Sequence, residues 1–149
     1  MKHVEPRATP NVDAVTLHTI EHIHHAWNNA LERKDAEAAA ALYAPDTILE
    51  SPLVRHLLKC EDGVVHGREK VREFLKQVFA HTPASRHVHS TGFFTDGRTV
   101  MWEHPHTTPE GDQMDFVEVM CIDDGLIQHH RVYWGWFGVR VLDQDRHFH

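Results

Sequence analysis

The chain has 149 residues, 41% apolar and 25% charged, with a formal net charge of −7. That is enough for one domain with a core and too little for two. No apolar run reaches the length of a membrane span, and an acidic balance with no basic stripe argues against nucleic acid as a partner.

Cys60 and Cys121 are too few for a disulfide framework or a zinc site. Sixteen histidines are the compositional outlier. The polar N-terminus carries no signal-peptide h-region, so the cytoplasm is the expected compartment.

Residues 1–12 are polar with two prolines and read as a loose arm. Asp13 can cap a helix running to about Lys34, on which Leu17, Ile20, His24, Trp27 and Leu31 form an apolar stripe. His18, His22 and His25 fall on a flank facing solvent. Asp35 caps a short alanine-rich helix through Tyr43, and Ala44-Pro45-Asp46 stops it. Thr47 to Glu50 reads as a strand ended by Ser51-Pro52, and the stretch from Leu53 to Val65 is ambiguous. Gly67-Arg68-Glu69 opens a third helix with Val71, Phe74, Leu75, Val78 and Phe79 on its apolar face.

Four strands follow, at about 87–95, 98–107, 113–123 and 126–137, joined by turns that carry Asp96-Gly97, Pro109-Glu110-Gly111 and Asp123-Asp124-Gly125. Residues 13–141 are expected to form one domain and 142–149 a tail. Helices first and a meander after them predict an α+β class, with helices on one face of an antiparallel sheet.

The order of elements resembles the nuclear transport factor 2-like superfamily. That superfamily includes SnoaL-like polyketide cyclases, ketosteroid isomerase, limonene-epoxide hydrolase and scytalone dehydratase. The likeness rests on Lys34-Asp35, Leu42-Tyr43-Ala44-Pro45-Asp46, His66-Gly67-Arg68-Glu69 and Ile122-Asp123-Asp124-Gly125-Leu126-Ile127. It implies a cone-shaped roll with a strongly curved sheet, chemistry that needs no cofactor, a small hydrophobic ligand and a homodimer.

Position by position, Ser51 stands where the isomerase has its general-base Asp, Trp27 where it has an oxyanion Tyr, and Glu118 where it has a protonated carboxylic acid. Against the epoxide hydrolase, Val132 replaces a required Asp. Against scytalone dehydratase, His104-Pro105-His106 resembles a Val-Pro-His segment, which implies a catalytic His106. His87 and His89 fall on the strand of a second catalytic histidine, and Glu32 matches a helix carboxylate. Leu31 and Ser51 replace two tyrosines.

Alternate strand residues share a face, so His104 and His106 point with Trp102. The opposite register would put Met101, Glu103 and Pro105 inside, and the dehydratase likeness favours the first. The expected catalytic residues are His106, Glu118, His89 and His87. The expected pocket is formed by Trp27, Leu31, Glu32, Ser51, Trp102, His104, Phe116, Met120, His130 and Trp134. Trp136 is expected to share the face of His130, Val132 and Trp134.

The two His-x-His pairs have a spacing that could hold a metal, but none is expected. His106, helped by His87 or His89, would remove a proton, and Glu118, kept neutral by its apolar strand, would donate a hydrogen bond to the developing oxyanion. The reaction would be a dehydration, an isomerisation or a cyclisation. The competing reading is a non-enzymatic ligand-binding or dimerisation module of the same fold.

Overall fold

The computed structural model describes residues 11–82, 87–88, 92–107 and 111–144, and of 87, 88 and 141 the backbone only. Asp13 caps the first helix, α1 (Ala14–Glu32), its carboxylate accepting from the Thr16 N–H at 2.9 Å. Ile20, Ile23, Trp27 and Ala30 are buried along one side, while His18, His22 and His25 are exposed. Asp35 caps α2 (Ala36–Ala40) in the same way through the Ala38 N–H.

The alanine helix stops short of Tyr43, its expected end. The Leu42 carbonyl accepts from the Ile127 N–H, and Tyr43 opens β1 (Tyr43–Glu50). Sheet pairing overrides the helical preference of these residues.

The stretch left open between 53 and 65 holds α3 (Pro52–Leu58) and the short β2 (Val64–His66). Ser51 caps α3, its hydroxyl accepting from the Leu53 N–H at 3.2 Å. Ser51→Ala is therefore expected to lower unfolding free energy by about 1 kcal/mol in a urea titration. A variant as stable as the wild type would show the cap to be idle. The next helix, α4 (Arg68–His81), buries Val71, Phe74, Leu75 and Phe79.

The meander is more broken than its sequence suggests. It comprises β3 (His87–Val88), β4 (Phe94–Thr95), β5 (Thr99–Glu103), β6 (His106–Thr107), β7 (Gln113–Met114), β8 (Phe116–Asp123) and β9 (Leu126–Trp134). The expected strand 98–107 divides at His104-Pro105. The His104 N–H still bonds the Phe116 carbonyl at 2.8 Å, but Pro105 has no N–H to continue the ladder. The chain leaves a six-stranded sheet ordered β2-β1-β9-β8-β5-β4 and enters a three-stranded one ordered β3-β6-β7. All neighbours pair antiparallel except β1 and β9, which are parallel.

The last expected strand, 126–137, is corrected at its end. The Gly135 N–H bonds the Asp115 carbonyl at 2.8 Å, and beyond it the chain forms a fifth helix, α5 (Trp136–Asp143). Trp136 is thereby carried off the inner face and is 76% exposed. The helix also runs past the domain end expected at 141.

On β8 the alternation is regular. Phe116, Glu118, Met120 and Ile122 are buried, and Val117, Val119 and Cys121 are half-buried on the other face. The inner face packs with residues of α1 and α4 into one core, with Trp102, Leu49, Met120 and Ile127 among its buried members. The architecture is an α+β fold, helices against a mainly antiparallel sheet that does not close into a barrel. No described helix is long and apolar enough to cross a membrane.

Candidate active site

Glu118 and His130 sit on adjacent strands of the inner face. Glu118 pairs across the ladder with Val132, and Met120 with His130, so the two are diagonal neighbours. Long side chains can reach across such a diagonal, and here they meet, with His130 Nε2 2.6 Å from Glu118 Oε2. The other ring nitrogen, Nδ1, lies 2.8 Å from the Tyr43 hydroxyl. That hydroxyl accepts from Trp27 Nε1–H at 3.1 Å. Arg68 of α4 holds the tyrosine from behind, donating to its carbonyl at 2.7 Å. Tyr43, Trp27, Glu118 and His130 are all under 5% exposed.

Hydrogen positions follow from which groups can donate. An indole N–H only donates, so Tyr43 accepts from Trp27 and has its own proton to give to His130 Nδ1. Nδ1 is then the acceptor, Nε2 carries the ring hydrogen, and Glu118 receives it. The reverse arrangement, a protonated Glu118 donating to His130, leaves the Tyr43 proton without an acceptor among the described residues. Burial raises the Tyr43 hydroxyl far above the ordinary phenol range, opposed by the Trp27 bond and assisted by the Glu118 charge. The hydroxyl is thus a permanent donor. In that arrangement Glu118 is the accepting end of a four-member chain. A buried carboxylate without such a partner would cost several kcal/mol.

The chain borders a cavity of about 90 Å³, small beside the roughly 300–1,000 Å³ of drug-sized pockets. Its apolar walls come from α4 (Phe74, Leu75, Val78, Phe79), α3 (Leu53) and β1 (Leu49). Of the residues expected to form it, Trp27, Leu31, Ser51, His104, His106, Phe116, Glu118, His130 and Trp134 do so. His104 and His106 are each 5% exposed, on the same side of the chain as Trp102. Their rings stand 5.8 Å apart, and His106 lies 4.8 Å from the Phe116 ring.

Glu32 is exposed and does not border the cavity. Leu31 takes the inward direction, and one step along a helix turns the next side chain away by about 100°. Trp102 and Met120 are buried in the core and do not border it either, Trp102 being covered edge-on by Trp27 at 5.5 Å. His24 is set between Phe93 and Trp102, and burial holds its imidazole below the ordinary histidine value, with His25 adding to the effect. His87 pairs with Thr107 through the backbone. Its side chain and the whole of His89 lie outside the described residues. Among the described residues no three His, Cys, Asp or Glu side chains are grouped as a metal centre requires.

A family model for the SnoaL-like domain matches residues 24–130. The chain belongs to the SnoaL-like domain family.

Solved structures share the fold of this SnoaL-like domain. One is an NTF2-like protein of unknown function from Mesorhizobium loti, 19% identical, covering 85% of this chain and 98% of that one at a TM-score of 0.65. A putative ketosteroid isomerase from Kribbella flavida is also 19% identical, covering 79% and 78% at 0.62. SalBIII, an epoxide hydrolase/cyclase-like enzyme of pyran ring formation in the polyether salinomycin, is 18% identical, covering 80% and 93% at 0.61. No curated protein matches the chain. At these identities the likeness extends to the fold alone.

Among the hydrogen-bonded residues of the site, Tyr43 is the one that the sequence expectations do not include; of the apolar walls they omit Leu49, Leu53, Phe74, Leu75, Val78 and Phe79. The sequence places Tyr43 at the end of an alanine-rich helix, where a hydroxyl faces solvent as easily as the core. The available signal was its place just before Pro45 and an inward-facing strand, where a tyrosine must find a partner for its hydroxyl.

Proposed function

We infer that this SnoaL-like domain is a small-molecule enzyme that moves a proton on a hydrophobic substrate held in the cavity, without a cofactor. The observation that carries the reading is Glu118, a buried carboxylate facing a mostly apolar cavity and aligned by His130, Tyr43 and Trp27. Such a group has no role in packing that an apolar residue would not fill better. Next to a small ligand it can take a proton from a carbon beside a carbonyl, and water exclusion makes that acceptor stronger. His106, bordering the same cavity, would hold or return the proton. Dehydration, isomerisation and ring closure all use this step. The names of two relatives, a putative ketosteroid isomerase and a cyclase-like enzyme, support that range.

The test is deuterium uptake. Small cyclic ketones incubated in heavy water with the protein should gain deuterium beside the carbonyl, and Glu118→Gln should abolish the gain. Saturable binding with no exchange in any ketone would make the domain a ligand-binding module instead.

The partner best suited to the outer sheet face is a second copy of the chain. Met101 and Tyr133 are 42% and 55% exposed there, beside the half-buried Val117, Val119 and Cys121, and no basic stripe suits nucleic acid or an acidic membrane surface. Light scattering is expected to give the mass of a dimer. A monomer at every concentration would exclude it.

A further inference from the structure

We propose that α5 belongs to the ligand site, and that Trp134, fixed by Gly138, is the end wall that limits how long a molecule the cavity accepts. The proposal rests on the reading of the cavity as a ligand site. Trp134 borders the cavity at the last position of β9, opposite Phe116. The two rings meet edge-on at 4.5 Å, and Phe116 continues to His106 at 4.8 Å. On its other side the indole lies against the first turn of α5. A Cβ placed on Gly138 would stand 2.9 Å from Trp134 Cε3 and 3.5 Å from Cζ3, closer than carbon atoms can pack. Only a hydrogen fits there.

The indole is thus held between Phe116 and the Gly138 backbone. A retreat toward α5 is blocked unless that helix moves. That helix is tied down at its start by the Gly135 N–H on the Asp115 carbonyl at 2.8 Å, and along its length by the half-buried Phe137 and buried Gly138. The benzo ring of Trp134 is therefore a fixed stop and not a swinging gate. Beside a cavity of about 90 Å³, such a stop favours a molecule of one ring over a fused pair.

The experiment needs no turnover. Binding of cyclohexanone and of 1-decalone, one ring and two fused rings, is measured by calorimetry for four proteins: wild type, Trp134→Leu, Gly138→Ala and the double variant. Wild type should prefer cyclohexanone. Trp134→Leu should shift the ratio of the two affinities toward 1-decalone, on the order of tenfold or more. Gly138→Ala should weaken both ligands and lower the melting temperature, since its methyl drives the indole into the cavity. Adding Trp134→Leu to it should restore the melting temperature and give the profile of Trp134→Leu alone, because the clash has lost its partner.

An affinity ratio unmoved in Trp134→Leu would overturn the proposal and leave the cavity as a ligand site with another boundary. A Gly138→Ala protein that binds and melts like the wild type would also overturn it. If wild type binds neither ketone, the ligand-site reading fails and the proposal with it.

Discussion

Glu118→Gln is expected to lower turnover by about two to four orders of magnitude, the usual contribution of a positioned proton acceptor, while leaving the melting temperature close to that of the wild type. An amide oxygen can still accept from His130 Nε2–H, now 2.6 Å from the carboxylate, so the buried chain survives. What disappears is the ability to take a proton at ordinary pH. Glu118→Leu should lose as much activity and also about 1–3 kcal/mol of stability, because it strands the His130 N–H in a dry core. The comparison is read on kcat with the melting curve as a control. Should Glu118→Gln keep wild-type turnover, the carboxyl would be a neutral hydrogen-bond donor to an oxyanion and not the base.

Tyr43→Phe removes one oxygen atom and is expected to be among the most destabilising small changes the chain can suffer. The hydroxyl is the only described partner of two buried groups, accepting from Trp27 Nε1 and donating to His130 Nδ1. Losing it leaves both unpaired, at about 1–3 kcal/mol each, in a position that is 0% exposed. Urea unfolding measures the loss directly. Turnover should fall as well, with KM little changed, since His130 can then adopt either tautomer and Glu118 is no longer assured of its donor. A Tyr43→Phe protein within about 0.5 kcal/mol of the wild type, the range of a neutral surface change, would mean that the four-member chain does not form.

Local signals carried much of the fold. Asp13 and Asp35 cap the helices they were expected to cap, because a cap is decided within three residues of sequence. The inward set of Phe116, Glu118 and Met120 follows from strict alternation on one strand. Trp102, His104 and His106 are buried as expected, although the single strand expected to align them divides at His104-Pro105. The failures have a different cause. Trp134-Gly135-Trp136 has the composition of a continuing strand, and what ends it is a hydrogen bond to Asp115 on another element. Tyr43 sits after an alanine run that favours helix, and what pulls it into the sheet is β9. Glu118 could be picked out as a buried carboxylate, but its role depends on a diagonal contact with His130 and on Tyr43 behind it. Neither exists until register and strand order are set, and no local pattern encodes them.

The parallel pairing of β1 with β9 closes a long span of chain at the site. β8 and β9 are joined by a tight turn at Asp124-Gly125 and can zip together early, bringing Glu118 to His130 with little loop-closure entropy lost. Tyr43 and His130 are 87 residues apart, and a closure of that span is entropically dearer than any hairpin and belongs to the slow end of folding. An intermediate with a docked hairpin and a detached β1 therefore holds the acid–histidine pair without the hydroxyl that orients it. The proton transfer proposed for this site therefore depends on a long-range closure, and it is expected to be lost early when β1 detaches.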